Sequence, residues 1–312
     1  MAELRPPRLE GAIRLGAGRK LGYAEFGPAT GRVVFWFHGT PGARRQVPPA
    51  AREAAWAQGL RVIGVERPGI GASTPHVHEA VVGWARDVEI LADGLGIERF
   101  GVVGLSGGGP YALACAHELP ERVVAAAVLG GVAPSVGDEA AAGGVAGLAP
   151  WFVPLIRLGR APLGRAMRGV TRALEPLADP ATDLFLRLLP PGDRRVFSDP
   201  LMRQMFHDDL TRGGRRGMQA MFIDAILFGR PWGFSLRGIR VPVRFWHGDA
   251  DTITPLAHAQ HMVALVPGAQ LRIRPEEGHL GALDATHEVF DAILGHWPRD
   301  THGLRTPGAS SG

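Results

Sequence analysis

The chain has 312 residues, 46% hydrophobic and 21% charged, with a net charge of +4. That length suits one large domain with an insertion, or two smaller ones, and leaves ample apolar material for a core. Cys115 is the only cysteine, which excludes an intrachain disulfide and fits a reducing, cytoplasmic location. No stretch reaches the roughly 18 uninterrupted apolar residues of a membrane span. Met1–Glu10 has no apolar core of secretory length, and no basic cluster with interleaved aromatics points to nucleic acid.

Ile13–Leu15 and Leu21–Phe26 read as a leading hairpin bridged by Gly16–Lys20. Strand and helix patterns then alternate. Val33–Phe37 predicts a buried strand, Ala50–Gln58 a helix, Leu60–Val65 a strand and Ala80–Leu95 a helix. Phe100–Leu105, Pro110–Leu119 and Val123–Leu129 continue as strand, helix, strand. Near-continuous apolar strands separated by helices indicate an α/β fold: a mostly parallel sheet flanked by helices.

From about Val132 to Gly238 the rhythm stops, and arginines, prolines and short helical patterns replace it. Strands resume at Val241–Trp246 and Gln270–Arg274, with helices at Pro255–Leu265 and Ala285–Trp297. The expected organisation is therefore a core of residues 1–132 and 238–299, with 133–237 as a helical cap insertion over the edge where open sheets bind ligands. The polar tail, 300–312, reads as disordered.

The most informative segment is Phe100-Gly-Val-Val-Gly-Leu-Ser-Gly-Gly-Gly-Pro110. An apolar run ends in a glycine-flanked serine, and a helical pattern starts at once. A strand turning straight into a helix forces that serine into a strained backbone conformation and leaves its hydroxyl exposed. Ser106 is thus a candidate covalent nucleophile. His38-Gly39-Thr40-Pro41-Gly42 follows the strand Val33–Phe37 and turns main-chain N–H groups toward a cavity. Acyl transfer needs donors aimed at the oxygen that gains charge, and the amides of Thr40 and Gly107 are the candidates. His38 itself reads as an orienting turn residue. After Val241–Trp246 comes a polar loop with two carboxylates, Asp249 and Asp251, either of which could orient a histidine. His279 lies in a glycine-flanked loop after the final strand, whereas His258, His261 and His287 fall in helical patterns. The order serine, aspartate, histidine follows.

These pieces, with Glu66-Arg67-Pro68-Gly69-Ile70-Gly71-Ala72-Ser73, resemble landmarks of the α/β-hydrolase superfamily in its serine-nucleophile, cap-containing branch. The resemblance covers residues 13 to 298. It implies the α/β-hydrolase fold, and it favours Asp251, which ends a Gly-x-x-Asp turn, as the acid of a Ser106–His279–Asp251 triad. Glu66 stands where the family loop Asp-Arg-Pro-Gly-x-Gly-x-Ser has aspartate. The serine argues against the superfamily's haloalkane dehalogenases and epoxide hydrolases, which use a carboxylate nucleophile. The expected activity is serine-dependent hydrolysis of carboxylic esters, with no metal and no organic cofactor. Amide or aminopeptidase-type cleavage, carbon–carbon bond hydrolysis, thioester or lactone hydrolysis and non-catalytic ligand binding on the same fold are the alternatives.

Met218, Met221 and Phe222, with Ala225 and Ile226, recur at helical spacing, and Trp151–Ile156 adds a second apolar cluster. Such stripes pack cap onto core, and one edge of them could line the acyl pocket of a small-molecule ester. Arg165, Arg168 and Arg172 share one face of a helical pattern and read as a solvated surface.

Overall fold

The computed structural model describes residues 3–141, 143, 169, 190–213 and 219–298. β1 (Leu9–Gly16) and β2 (Arg19–Phe26) form an antiparallel hairpin, longer than the apolar residues alone indicate. β3 (Arg32–Phe37), β4 (Leu60–Val65), β5 (Phe100–Leu105), β6 (Val123–Leu129), β7 (Val243–Gly248) and β8 (Gln270–Arg274) follow, joined through helical crossovers. The sheet order among the described residues is β1-β2-β4-β3-β5-β6-β7-β8. Pairing is antiparallel from β1 to β4 and parallel from β4 to β8.

Alternation along the strands divides the core into two layers. Phe35, Phe37, Ile63, Val102 and Val128 face α2 (Trp84–Gly94), α3 (Gly109–Glu118) and α7 (Leu256–Leu265). Val34, Trp36, Val62, Val103 and Ala127 face α1 (Pro49–Ala57) and α8 (Thr286–Leu294). Each helix supplies an apolar stripe: α2 buries Trp84, Val88, Leu91 and Ala92, all within one helical face. The stripe closes on the sheet through edge-to-face rings, Phe37 to Trp84 and Trp84 to Tyr111, both with centroids 5.5 Å apart.

The boundaries depart from expectation in three places, each with a local cause. Pro242 has no N–H for the ladder, so pairing of β7 begins at Val243 rather than Val241. The helix expected over Ala80–Leu95 opens as a 3-10 turn, Val81–Gly83, because Ala80 is extended and Gly83 carries no side chain to collide with His78. The last helix stops at Leu294, where Gly295 and then Pro298 discourage continuation.

Between β6 and β7 the described residues carry helices and no strand: α4 (Pro191–Ser198), α5 (Pro200–Asp208), a π-helical turn (Asp209–Gly213) and α6 (Ala220–Phe228). Trp151, Met218, the arginines 165, 168 and 172 and the tail 300–312 lie outside the described residues. No described helix is long and apolar enough to cross a membrane.

The parallel strands all end at one edge. From that edge project the loops after β3, β4, β5, β7 and β8, which carry every candidate residue of the core. The β5–α3 connection is closely packed. A Cβ on Gly104 would stand 2.4 Å from the carbonyl oxygen of Gly108 and 2.7 Å from Cα of Gly109. Gly104→Ala is therefore expected to lower stability by about 1–3 kcal/mol, the usual range for overpacking, read as a lower midpoint of denaturant unfolding. An unchanged midpoint would show that the turn has slack.

Candidate active site

Ser106 sits at the end of β5 with φ 51°, a left-handed conformation that side chains rarely adopt. The strain is imposed by the chain reversal from β5 into the 3-10 turn Ser106–Gly108 and α3. The hydroxyl is thereby aimed out of the sheet edge, and His279 meets it: His279 Nε2 lies 2.7 Å from Ser106 Oγ. On the other side of the ring, Nδ1 lies 2.8 Å from Asp251 Oδ2. A carboxylate only accepts, so Nδ1 carries the proton and Nε2 is left free to accept from the serine. The structure thus brings Ser106, His279 and Asp251 into one hydrogen-bonded chain. All three are nearly buried.

Asp251 is held by its own loop. Its Oδ1 accepts the amides of Ile253 and Thr254, both at 2.9 Å, and its Oδ2 takes the Thr254 hydroxyl at 2.8 Å. His247 Nε2 stands 3.3 Å from the same Oδ2. Burial opposes charge on this carboxyl, but hydrogen bonds from His247 and His279, the His279 charge and the Thr254 amide outweigh it and hold its pKa well below the usual range. Asp251 therefore stays ionised. Asp249, the other candidate, points its Oδ1 at the Glu276 amide, 2.7 Å away, and shapes the turn.

Thr40 and Gly107 lie side by side. A Cβ on Gly107 would meet Thr40 Oγ1 at 2.4 Å, so the Thr40 side chain packs directly against the bare Cα of Gly107 beside the serine. Gly107 is the second residue of the 3-10 turn Ser106–Gly108, whose first amides have no acceptor within the turn itself. His38 is buried and orients this loop: Nδ1 lies 2.8 Å from Gly39 O, and Nε2 accepts the Arg67 amide. Burial and the Arg67 charge hold it well below the usual imidazole pKa, so it is neutral.

A family model described as alpha/beta hydrolase fold matches residues 32–286. The chain belongs to that family. It is 31% identical over 245 residues to the pimeloyl-(acyl-carrier protein) methyl ester esterase of Aromatoleum aromaticum, covering 76% of this chain and 86% of the relative. It is 27% identical to a 2-hydroxy-6-oxononadienedioate/2-hydroxy-6-oxononatrienedioate hydrolase of Comamonas testosteroni, over 80% and 82% of the two chains. Among solved structures, a hydrolase from Pseudomonas aeruginosa aligns with a TM-score of 0.65 at 20% identity, covering 92% of this chain and 97% of that one. This likeness speaks to the shared fold.

Several residues of this alpha/beta hydrolase site are invisible to sequence motifs. Thr254 and His247 buttress Asp251. Asp224, buried in α6, accepts the Tyr111 hydroxyl at 2.7 Å and the Thr40 hydroxyl at 2.6 Å, and pairs with Arg67 Nη2 at 2.8 Å. Phe228 approaches Gly107: its ring edge would lie 3.4 Å from a Cβ there. Met221 and Phe222 are half-buried, and Met221 lines a small cavity with Thr40, Pro41, Arg67 and Ile70. The fully buried face of α6 is instead Ala220, Ile223, Asp224, Ile226, Leu227 and Phe228. Among the described residues no group of three or more His, Cys, Asp or Glu could hold a metal ion.

Glu66, where the family loop has aspartate, is fully buried, paired with Arg44 at 2.6 Å and accepting the Ala72 amide at 2.7 Å. Burial raises its pKa from 4.5 to about 7, against the opposing pull of Arg44 and the Ala72 amide. A raised carboxyl favours the fold while protonated in it, so its contribution is fully present at pH below the unfolded value and is lost as pH rises through the folded one. The stability of the parent relative to Glu66→Gln should therefore fall between pH 4.5 and about 7 and level off above, measured by urea unfolding across that range. A difference that grows with pH would contradict the burial effect.

Proposed function

We propose that this chain is a serine hydrolase that cleaves carboxylic esters of small molecules through an acyl-enzyme. The observation that carries the reading is the unbroken chain Asp251–His279–Ser106, with contacts of 2.8 and 2.7 Å. His279 Nε2 takes the Ser106 proton as Oγ attacks the carbonyl carbon. Asp251, kept ionised, holds the ring and offsets the charge it gains. The amides of Thr40 and Gly107 receive the oxyanion. The alcohol leaves with the proton from His279, and a water activated by the same nitrogen releases the acid. No metal or organic cofactor enters these steps.

The segment 133–237 acts as a cap in this reading, with Met221, Phe222 and Phe228 presenting apolar surface to the acyl part. The esterase from Aromatoleum aromaticum supports an ester substrate. A second reading, carbon–carbon bond hydrolysis, is favoured by the dienedioate hydrolase likeness and uses the same three residues. An acyl-length series of p-nitrophenyl esters, run beside a p-nitroanilide and a vinylogous 1,5-diketone, separates the readings. Turnover of the diketone alone would favour the second.

Two substitutions test the roles. Ser106→Ala should lower kcat by about 10⁴–10⁶ with the fold intact, because such residues act as a unit. Asp251→Asn keeps the shape but lets the imidazole take the wrong tautomer, and should cost about 10²–10⁴ in kcat. Asp249→Asn should cost less than about tenfold, as for a carboxylate that only shapes its turn. Ester hydrolysis at parental rate in Ser106→Ala, or an inactive Asp249→Asn beside an active Asp251→Asn, would overturn the assignment.

A further inference from the structure

Three buried aspartates in the segment between β6 and β7 reach down to the loops of the site, and none belongs to the Ser106–His279–Asp251 chain. Each comes from a different helical element and uses both carboxylate oxygens. Asp193 of α4 accepts the His279 amide on Oδ2 at 3.0 Å and the Leu280 amide on Oδ1 at 2.7 Å. Asp209, in the π-helical turn, accepts the Ala43 amide at 2.8 Å and the Arg45 amide at 2.9 Å, in the loop after β3. Asp224 of α6 takes the hydroxyls of Thr40 and Tyr111, and Arg67 besides. Their exposures are 2%, 1% and 1%.

A buried carboxylate without partners is costly, so groups placed this way are held by the donors they face. Two amide donors on one carboxylate also fix peptide planes, because each N–H must point at its own oxygen. At Asp193 the fixed planes are those of His279 itself and its neighbour. The contact is tight: a Cβ on Gly278 would fall 2.4 Å from Asp193 Oδ2, and one on Gly192 would fall 2.4 Å from Glu277 Oε2. Bare backbone at both positions lets the start of α4 press against the histidine loop. Burial raises the Asp193 carboxyl and nearby Asp251 repels it, while the amides of Leu280 and His279 and the His279 charge act the other way.

We propose that Asp193 is a positioning residue for His279, one of three carboxylates by which the β6–β7 segment holds the loops of the site in working geometry. This rests on the serine-hydrolase reading above. In this account the segment does more than cover the substrate. It sets the distance from His279 Nε2 to Ser106 Oγ from behind, without touching the reacting atoms. Asn at position 193 keeps one acceptor but turns an NH₂ group toward the second amide, so the histidine loop loses one of its two anchors.

The test compares Asp193→Asn and Asp193→Ala with the parent, and with Asp199→Asn as a control in the same segment. The Asp199 side chain accepts the Leu201 amide, at 2.8 Å, and caps α5. Three quantities are read at a temperature where circular dichroism shows each chain folded: kcat and KM on p-nitrophenyl butyrate, and the rate of fluorophosphonate labelling at Ser106. Displacement of a reacting group by about an ångström costs on the order of 10²-fold, so Asp193→Asn should lose about 10–100-fold in kcat with KM within about threefold. Labelling should slow by the same factor, and Asp199→Asn should change stability alone. If the Asp193 variants do not fold, Gly278→Ala, which drives a methyl group into the same carboxylate, must show the kcat loss instead. Parental kcat and labelling in a folded Asp193→Asn, or equal losses in Asp199→Asn, would overturn the positioning role. A parent chain that neither turns over esters nor labels at Ser106 would instead overturn the serine-hydrolase reading, which separates the two failures.

Discussion

Holding Ser106 at φ 51° is the constraint on which the rest of the arrangement turns. A strained residue persists only where its surroundings leave no alternative. Here β5 is buried along its whole length between β3 and β6, and α3 starts within a turn of it, with all its residues from Gly109 to Ala116 buried. The turn can close because Gly108 presents no side chain: a Cβ there would lie 2.2 Å from Phe37 O at the end of β3. The same closeness brings the loop after β3 beside the serine, so that Thr40 and Gly107 converge. Strain at one residue and the meeting of two loops therefore have one cause.

Electrostatics organises the layer above. Arg67 is buried, with Nη2 2.9 Å from Gly39 O and 2.8 Å from both Thr40 Oγ1 and Asp224 Oδ2, and its guanidinium lies 5.0 Å from the centre of the Tyr111 ring. A charge in that position is tolerable only with an opposite charge and a full set of acceptors, and Asp224 with the carbonyls of His38 and Gly39 provides them. The pair joins α6 to the loops after β3 and β4 and to α3. Because each of these elements also carries part of the site, a neutral residue in place of either partner would leave a stranded charge next to the Thr40 hydroxyl. Asp193 and Asp209 repeat the arrangement on neighbouring loops with backbone partners.

Much of this was legible in the sequence, for physical reasons that differ by element. β4, β5 and β6 start and stop where their apolar runs do, since the strands of a covered parallel sheet are apolar on both faces. Ser106, His279, Thr40 and Gly107 announced themselves through glycine-rich turns at strand ends. Asp251 could be separated from Asp249 only by resemblance, and its partners Thr254 and His247 gave no signal. The carboxylates 193, 209 and 224 gave none either: a lone aspartate in a helical pattern reads as solvated, and what buries it comes from residues 86 to 184 positions away. In α6 the difficulty is sharper. Ala220–Phe228 is apolar except for Asp224, so periodicity cannot choose a face, and the polar residue that would be expected to mark the solvent side is the one turned inward.

The proposed chemistry depends above all on a covalent acyl intermediate at Ser106. Rapid acid quench of the enzyme with a p-nitrophenyl ester, followed by mass mapping of the digested chain, tests it directly. A burst of p-nitrophenol within the first turnover is expected, with an acyl mass increment on the peptide that carries Ser106. Steady turnover with no such adduct, or an adduct on any other residue, would contradict it.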